Sequence, residues 1–195
     1  GNKSISLTEI YYGLQLQLLV YLDAILESAK DEDININPAA ILYCRINNPI
    51  AKFNEDKDDE EIQEAILKEL RMKGLVVKDS HIVKEMDKSL IDGERKNSLV
   101  IPVGLTKDGN VGKSTSAISY EDFKLLRKYV RHAIKDLCEE MLSGEIRIAP
   151  YKHKDGTSCD FCDYSTICQF DSTIKDNKYK NLNNKSNEEI IKMMK

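Results

Sequence analysis

The feature that most limits the fold is the run from Glu9 to about Lys30, which reads as one helix with apolar residues on almost every face. Leu14, Leu18, Tyr21, Leu22 and Ile25 recur at helical spacing, and Leu16, Leu19, Val20 and Leu26 fill the other faces. Thr8 is its expected N-cap. Gly13 costs such a helix about 1 kcal/mol relative to alanine. A helix of this kind is expected to be covered on all sides, inside a larger body than the chain itself supplies. The sequence reads as cut from something longer.

The remaining sequence alternates short apolar runs with turns. Pro38 leads into a strand expected over 39–46, ended by Asn47, Asn48 and Pro49. The acidic run from Glu55 to Glu61 starts a helix carrying Ile62, Ile66 and Leu70, with Gly74 as its expected C-cap. A strand is expected over 75–78, a helix over 80–90 and a strand over 99–105. The loop from Lys107 to Ser116 contains Gly112-Lys113-Ser114, but Lys107 stands where a phosphate loop needs its first glycine, so that motif fails. The best-defined helix follows, capped by Ser119, with Phe123, Leu126, Val130, Ala133, Leu137 and Met141 as its stripe and Gly144 as its end. His132 and Cys138 on this helix read as packing or surface residues. A lysine- and asparagine-rich tail closes the chain, with a last helix from Asn187.

Composition excludes several classes. With 41% hydrophobic and 32% charged residues, a core forms and disorder throughout does not. Apolar stretches such as Leu18 to Leu22 are far below the roughly 20 residues of a membrane span. No basic-then-apolar leader opens the chain. Twenty-nine basic against 33 acidic side chains leave a formal charge of −4, so no large nucleic-acid-coating surface is advertised. Five cysteines without a leader point to the reducing cytosol and to thiols or metal ligands rather than disulfides.

Three of those cysteines cluster, in Cys159-Asp-Phe-Cys162-Asp-Tyr-Ser-Thr-Ile-Cys168. C-x2-C lets two thiolates reach one metal or cluster, and five further residues return the chain for a third. Phe161, Tyr164, Ile167 and Phe170 interleave the cysteines and would keep water off such a site. A fourth ligand is needed: His153, Cys44 or Cys138 would make a zinc site within this chain, and otherwise the fourth lies elsewhere. Gln17 and Tyr21 form the other candidate pair, four residues apart and hence on one helix face. A buried glutamine must find hydrogen-bond partners, since an unmet amide costs about 1–3 kcal/mol.

In combination these segments are more specific. Tyr11-Tyr-Gly-Leu-Gln-Leu-Gln17-Leu-Leu-Val-Tyr21 resembles the Q-x-x-x-Y helix of RecB-type nucleases, a branch of the PD-(D/E)XK superfamily. Gly104–Gly109, the helix from Tyr120, Ser143–Tyr151 and Cys159–Asp171 follow in an order similar to the C-terminal end of the B subunits of AddAB-type ATP-dependent helicase/deoxyribonucleases. The resemblance covers about residues 5 to 171. It implies a cytoplasmic bacterial complex that resects double-strand DNA breaks for recombinational repair, acts on double- and single-stranded DNA, and pairs with an AddA-type helicase-nuclease partner. It implies that Cys159, Cys162 and Cys168 hold a [4Fe–4S] cluster with a fourth, upstream cysteine, as a staple rather than a redox centre. Gln17 and Tyr21 carry over as the helix bordering a Mg2+ site, where they orient catalytic groups or contact DNA.

One departure qualifies this. The family's metal-binding carboxylates and lysine precede the Q-x-x-x-Y helix, but Gly1 to Leu7 hold Lys3 and no acidic residue. Carboxylates must hold the magnesium and activate water, so the chain alone is expected to be inactive and can lack its cluster as well. The expected fold is α+β, a helix-rich partial PD-(D/E)XK core over 1–171 with an insertion at 52–116, an iron–sulfur ligand segment at 146–171 and a lysine-rich tail at 172–195. The unfinished sheet would expose apolar surface and favour self-association. Two other readings stay open: a CRISPR-associated RecB-like nuclease, whose compact chain hardly needs the 53–116 segment, and a non-enzymatic zinc module built on His153 and the three cysteines.

Overall fold

The run expected as a single helix breaks in two. In the computed structural model, which describes residues 3–47, 49, 58–91, 96–114, 116–153 and 156–195, α1 spans Leu7–Tyr11 and α2 spans Gln17–Asp31. Ser6 rather than Thr8 caps α1, its hydroxyl accepting from the Glu9 N–H at 3.3 Å. Gly13 sits at φ +82°, in the left-handed region that ends helices and that glycine enters without steric cost. Gln15 secures the break, donating to the Ser4 carbonyl at 2.9 Å and accepting from the Ser6 N–H at 3.0 Å. Nor is α2 covered all round. Leu19, Leu26 and Ala29 are buried, whereas Tyr21 is 56% and Ile25 60% exposed.

A three-stranded sheet lies beside these helices, formed by β1 (Ala40–Tyr43), β2 (Lys73–Val77) and β3 (Ala117–Ile118). β2 is central, antiparallel to β1 with Leu42 opposite Gly74, and parallel to β3 with Val77 opposite Ile118. β2, which lies within the segment read as an insertion at 52–116, is the middle strand, and Leu75, Val76 and Val77 on it are buried. α3 (Asp59–Leu70) precedes β2, capped by Asp58. Gly74 does not cap it, because Arg71 already turns extended and Gly74 lies within the strand. A Cβ there would meet the Ile41 carbonyl oxygen at 2.0 Å, so close strand approach is what needs this glycine.

α4 (Ser80–Met86) starts at the Asp79 cap. The strand expected over 99–105 does not form: isolated bridges join Asn97 to Gly104 and Leu105 to Val111. The buried Ser98 hydroxyl accepts from the Val100 and Ile101 N–H groups and donates to Asp87. These local bonds compete with a ladder while Ile101, Val103 and Leu105 still bury their side chains.

α5 (Tyr120–Leu142) begins at Ser119 as expected, the cap hydroxyl accepting from the Asp122 N–H at 3.1 Å. Phe123, Leu126 and Val130 are buried, but Leu137 and Met141 are 45% and 69% exposed, so the stripe outruns its cover. Beyond α5 come β4 (Tyr151–His153), β5 (Gly156–Thr157), α6 (Ser165–Cys168) and β6 (Lys180–Asn181), with β4 central in a second small sheet. The lysine-rich closing segment is mostly exposed but anchors itself at its end. α7 (Asn187–Met193) packs against α1, and Leu182, Ile190 and Met194 are buried. Ile190 and Met194 stand one turn apart, a single apolar edge that surrounding lysines conceal in the sequence. The fold is α+β and helix-rich, and no helix among the described residues is long and apolar enough to cross a membrane.

Candidate functional site

Gln17 opens α2 and Tyr21 follows one turn later. The Gln17 Nε2 donates to the Tyr21 hydroxyl oxygen at 2.8 Å. Both side chains are exposed, so the partner a buried glutamine would need is met on the surface instead. The bond links the pair and does not use the Gln17 side-chain carbonyl oxygen or the Tyr21 hydroxyl proton.

The opposite side of α2 is tied to α5 by a group of charges that sequence reading missed. Asp23 Oδ1 accepts from Arg127 Nε at 2.6 Å, and its Oδ2 accepts from Arg131 Nε. Arg131 also donates to Glu27 Oε1 at 2.6 Å. The Asp23 and Arg127 side chains are only 13% and 19% exposed. Both Asp23–Glu27 and Arg127–Arg131 are i, i+4 pairs, the sole trace in sequence of a contact that spans 104 residues. Hydrogen bonds from Arg131, then Lys30, hold the Glu27 carboxyl below its usual range, and the bonds to Asp23 and Glu27 raise Arg131. Nearby, Tyr129 stacks on Tyr11 at 5.5 Å between ring centroids and donates its hydroxyl to the Tyr11 carbonyl at 2.7 Å.

The cysteine segment is a string of local turns. Thr157 and Asp160 form a capping box around Cys159, the Cys162 N–H bonds the Cys159 carbonyl at 3.2 Å, and the Cys168 N–H bonds the Tyr164 carbonyl at 2.8 Å. Gln169 at φ +46° ends the turn. Cys159 is half-buried, and Cys162 and Cys168 are exposed. Phe161, Tyr164 and Ile167 are 94%, 70% and 82% exposed, so within this chain they do not shield the thiols as expected. His153, the zinc alternative, bonds Asn184 at 3.1 Å, while Cys44 and Cys138 are exposed on other elements.

Three thiols are the right donors for iron or zinc. Even so, among the described residues no three His, Cys, Asp or Glu side chains are gathered to hold a metal ion. A polar cavity of about 350 Å³ lies between Ser6, Thr8, Gly74, Ser116 and Lys185. None of Gln17, Tyr21 or the cysteines lines it.

The chain is 99% identical over its full length to the B subunit of the ATP-dependent helicase/deoxyribonuclease of Clostridioides difficile (strain 630), of which it covers 17%. The protein of the same name from Thermoanaerobacter sp. (strain X514) is 50% identical over the whole chain, which covers 16% of it. That from Acetivibrio thermocellus is 47% identical, with 17% covered. The chain thus spans about one sixth of the length of the curated relatives it matches. Residues 1–169 match the PD-(D/E)XK nuclease superfamily, and the chain belongs to that superfamily.

Proposed function

We propose that the chain is the C-terminal part of the nuclease domain in the B subunit of an ATP-dependent helicase/deoxyribonuclease, a bacterial, cytoplasmic protein that resects double-strand DNA breaks for recombinational repair. The observation that carries this reading is the full-length 99% identity to a protein of that name. The preset Gln17–Tyr21 pair on the open face of α2 supports it further. The parent works with an AddA-type helicase-nuclease partner on double- and single-stranded DNA.

In this reading the carboxylates and lysine that handle magnesium come from the rest of the parent. When bound there, magnesium activates water and stabilises charge at the phosphorus. The residues of this chain orient: Gln17 offers a carbonyl acceptor and Tyr21 a hydroxyl donor at fixed separation, facing the place where those groups arrive. Cys159, Cys162 and Cys168, with a cysteine from elsewhere in the parent, would hold a [4Fe–4S] cluster, which would fasten the domain as a staple.

Two preparations test this. The 195-residue chain, incubated with linear DNA and magnesium, is expected to leave the DNA intact, whereas the full-length protein assembled with a nuclease-inactivated partner degrades it and stops when chelator is added. Chelator-sensitive cutting by the chain alone would overturn the division of labour. Iron and acid-labile sulfide are expected in the full-length protein and lost on Cys159→Ser. Stoichiometric zinc without sulfide would favour an interaction module instead.

A further inference from the structure

The Gln17–Tyr21 bond holds those two side chains to each other but not to the body of the protein. Their aim depends on the rotation of α2 about its axis. At about 100° per residue, Asp23 lies about 120° round the helix from Gln17 and about 160° from Tyr21. It is therefore on the back of the helix as the pair sees it, and that is where the two arginines grip. At a helix radius of about 5–6 Å with side chains, a rotation of about 20° moves a side-chain tip by about 2 Å. Leu19 and Leu26 also anchor α2, and their burial is non-directional. A carboxylate with one oxygen on Arg127 and the other on Arg131 adds a directional constraint on the rotation. Glu27 extends the grip by a turn through Arg131.

We infer that Asp23, held between Arg127 and Arg131, is a positioning residue that sets the rotation of α2 and so aims Gln17 and Tyr21 at the reacting centre. Asp23 touches neither DNA nor metal in this role; it acts through the helix. The arginines come from α5, whose Tyr129 also fixes the end of α1, so one helix sets both sides of the Gly13 break. The inference rests on the nuclease reading above.

The test uses the full-length protein assembled with a partner whose own nuclease site is inactivated, measuring magnesium-dependent degradation of linear DNA, ATP-driven unwinding and the melting midpoint. Asp23→Asn is expected to lower the nuclease kcat about 10- to 100-fold, the scale of an ångström-level misplacement. KM for DNA and the unwinding rate should stay within about two-fold, and Asp23→Glu should recover most of the loss. A merely structural role would lower unwinding and nuclease activity together and raise no kcat-against-KM split. That result, or an unchanged kcat in Asp23→Asn, overturns the inference. If Asp23→Asn fails to assemble, Arg127→Gln carries the same comparison. A wild-type complex that unwinds but never cuts would instead overturn the nuclease reading itself.

Discussion

The two halves of α5 carry the same apolar spacing and meet opposite fates. Phe123, Leu126 and Val130 in the first half are at most 1% exposed, set against α2 and the sheet. Every residue from Lys135 to Ala149 is exposed, including Met141 at 69% and Leu142 at 89%. The cysteine segment shares that condition. Both halves are helical because Ser119 caps the start, Gly144 ends it, and side chains between them favour helix. Periodicity therefore identifies a face that seeks cover. It does not say where the cover comes from, and for the second half the described residues supply none.

The largest expected effect would break this contrast directly. Phe123→Ala should cost about 3–5 kcal/mol, the range for emptying an aromatic site in a closed core. Leu142→Ala should stay within about 0.5 kcal/mol, as at other exposed positions. Denaturant midpoints of the two variants measure both. Comparable losses would mean the second half of α5 is packed after all.

A second pair asks whether the C-terminal segment belongs with the buried half. Ile190 is 0% exposed, whereas Ile167 in the cysteine segment is 82% exposed. Ile190→Ala is expected to cost about 2–4 kcal/mol, and Ile167→Ala within about 0.5 kcal/mol, by the same denaturation. An Ile190→Ala variant as stable as the parent chain would return residues 187–193 to the status of a tail.

How much of this was legible follows from how local each signal is. Ser119 and Gly144 act within one turn, and the ends of α5 came out as read, as did a last helix starting at Asn187. The break at Gly13 did not, because an apolar run hides a left-handed residue and Gln15's reach back to Ser4. The expected strand over 99–105 lost to Ser98, whose bonds are local but depend on a buried Asp87. In the candidate site, the Gln17–Tyr21 pair was visible from its spacing, while its exposure depends on neighbours that spacing does not name. The Asp23–Arg127 contact joins distant parts of the chain and leaves no sequence mark beyond two i, i+4 pairs.

The smallest effect sharpens the comparison by pH. Tyr129 lies where the buried half of α5 gives way, and burial first, then Tyr11 and Asp136, raise its pKa above the usual tyrosine value. Tyrosines of an unfolded chain ionise near 10, so the unfolded state releases this proton first. The stabilisation is thus fully present below about pH 10 and is lost as pH rises through the higher folded value. Tyr129→Phe removes that dependence, at the cost of the bond to the Tyr11 carbonyl, about 1 kcal/mol at neutral pH. In the exposed half the counterpart is Glu145, held below the usual carboxylate range by hydrogen bonds from Arg147. A lowered carboxylate stabilises above its unfolded pKa and loses that as pH falls through the folded one. This pair spans only two residues and needs no tertiary fold, so unfolding barely changes it. Melting midpoints followed from about pH 3 to about pH 11 should show a flatter alkaline limb in Tyr129→Phe and an unchanged acid limb in Glu145→Gln. Parallel alkaline limbs for Tyr129→Phe and the unaltered chain would show that Tyr129 ionises as freely folded as unfolded, and the boundary between the two halves would then lie nearer the start of α5.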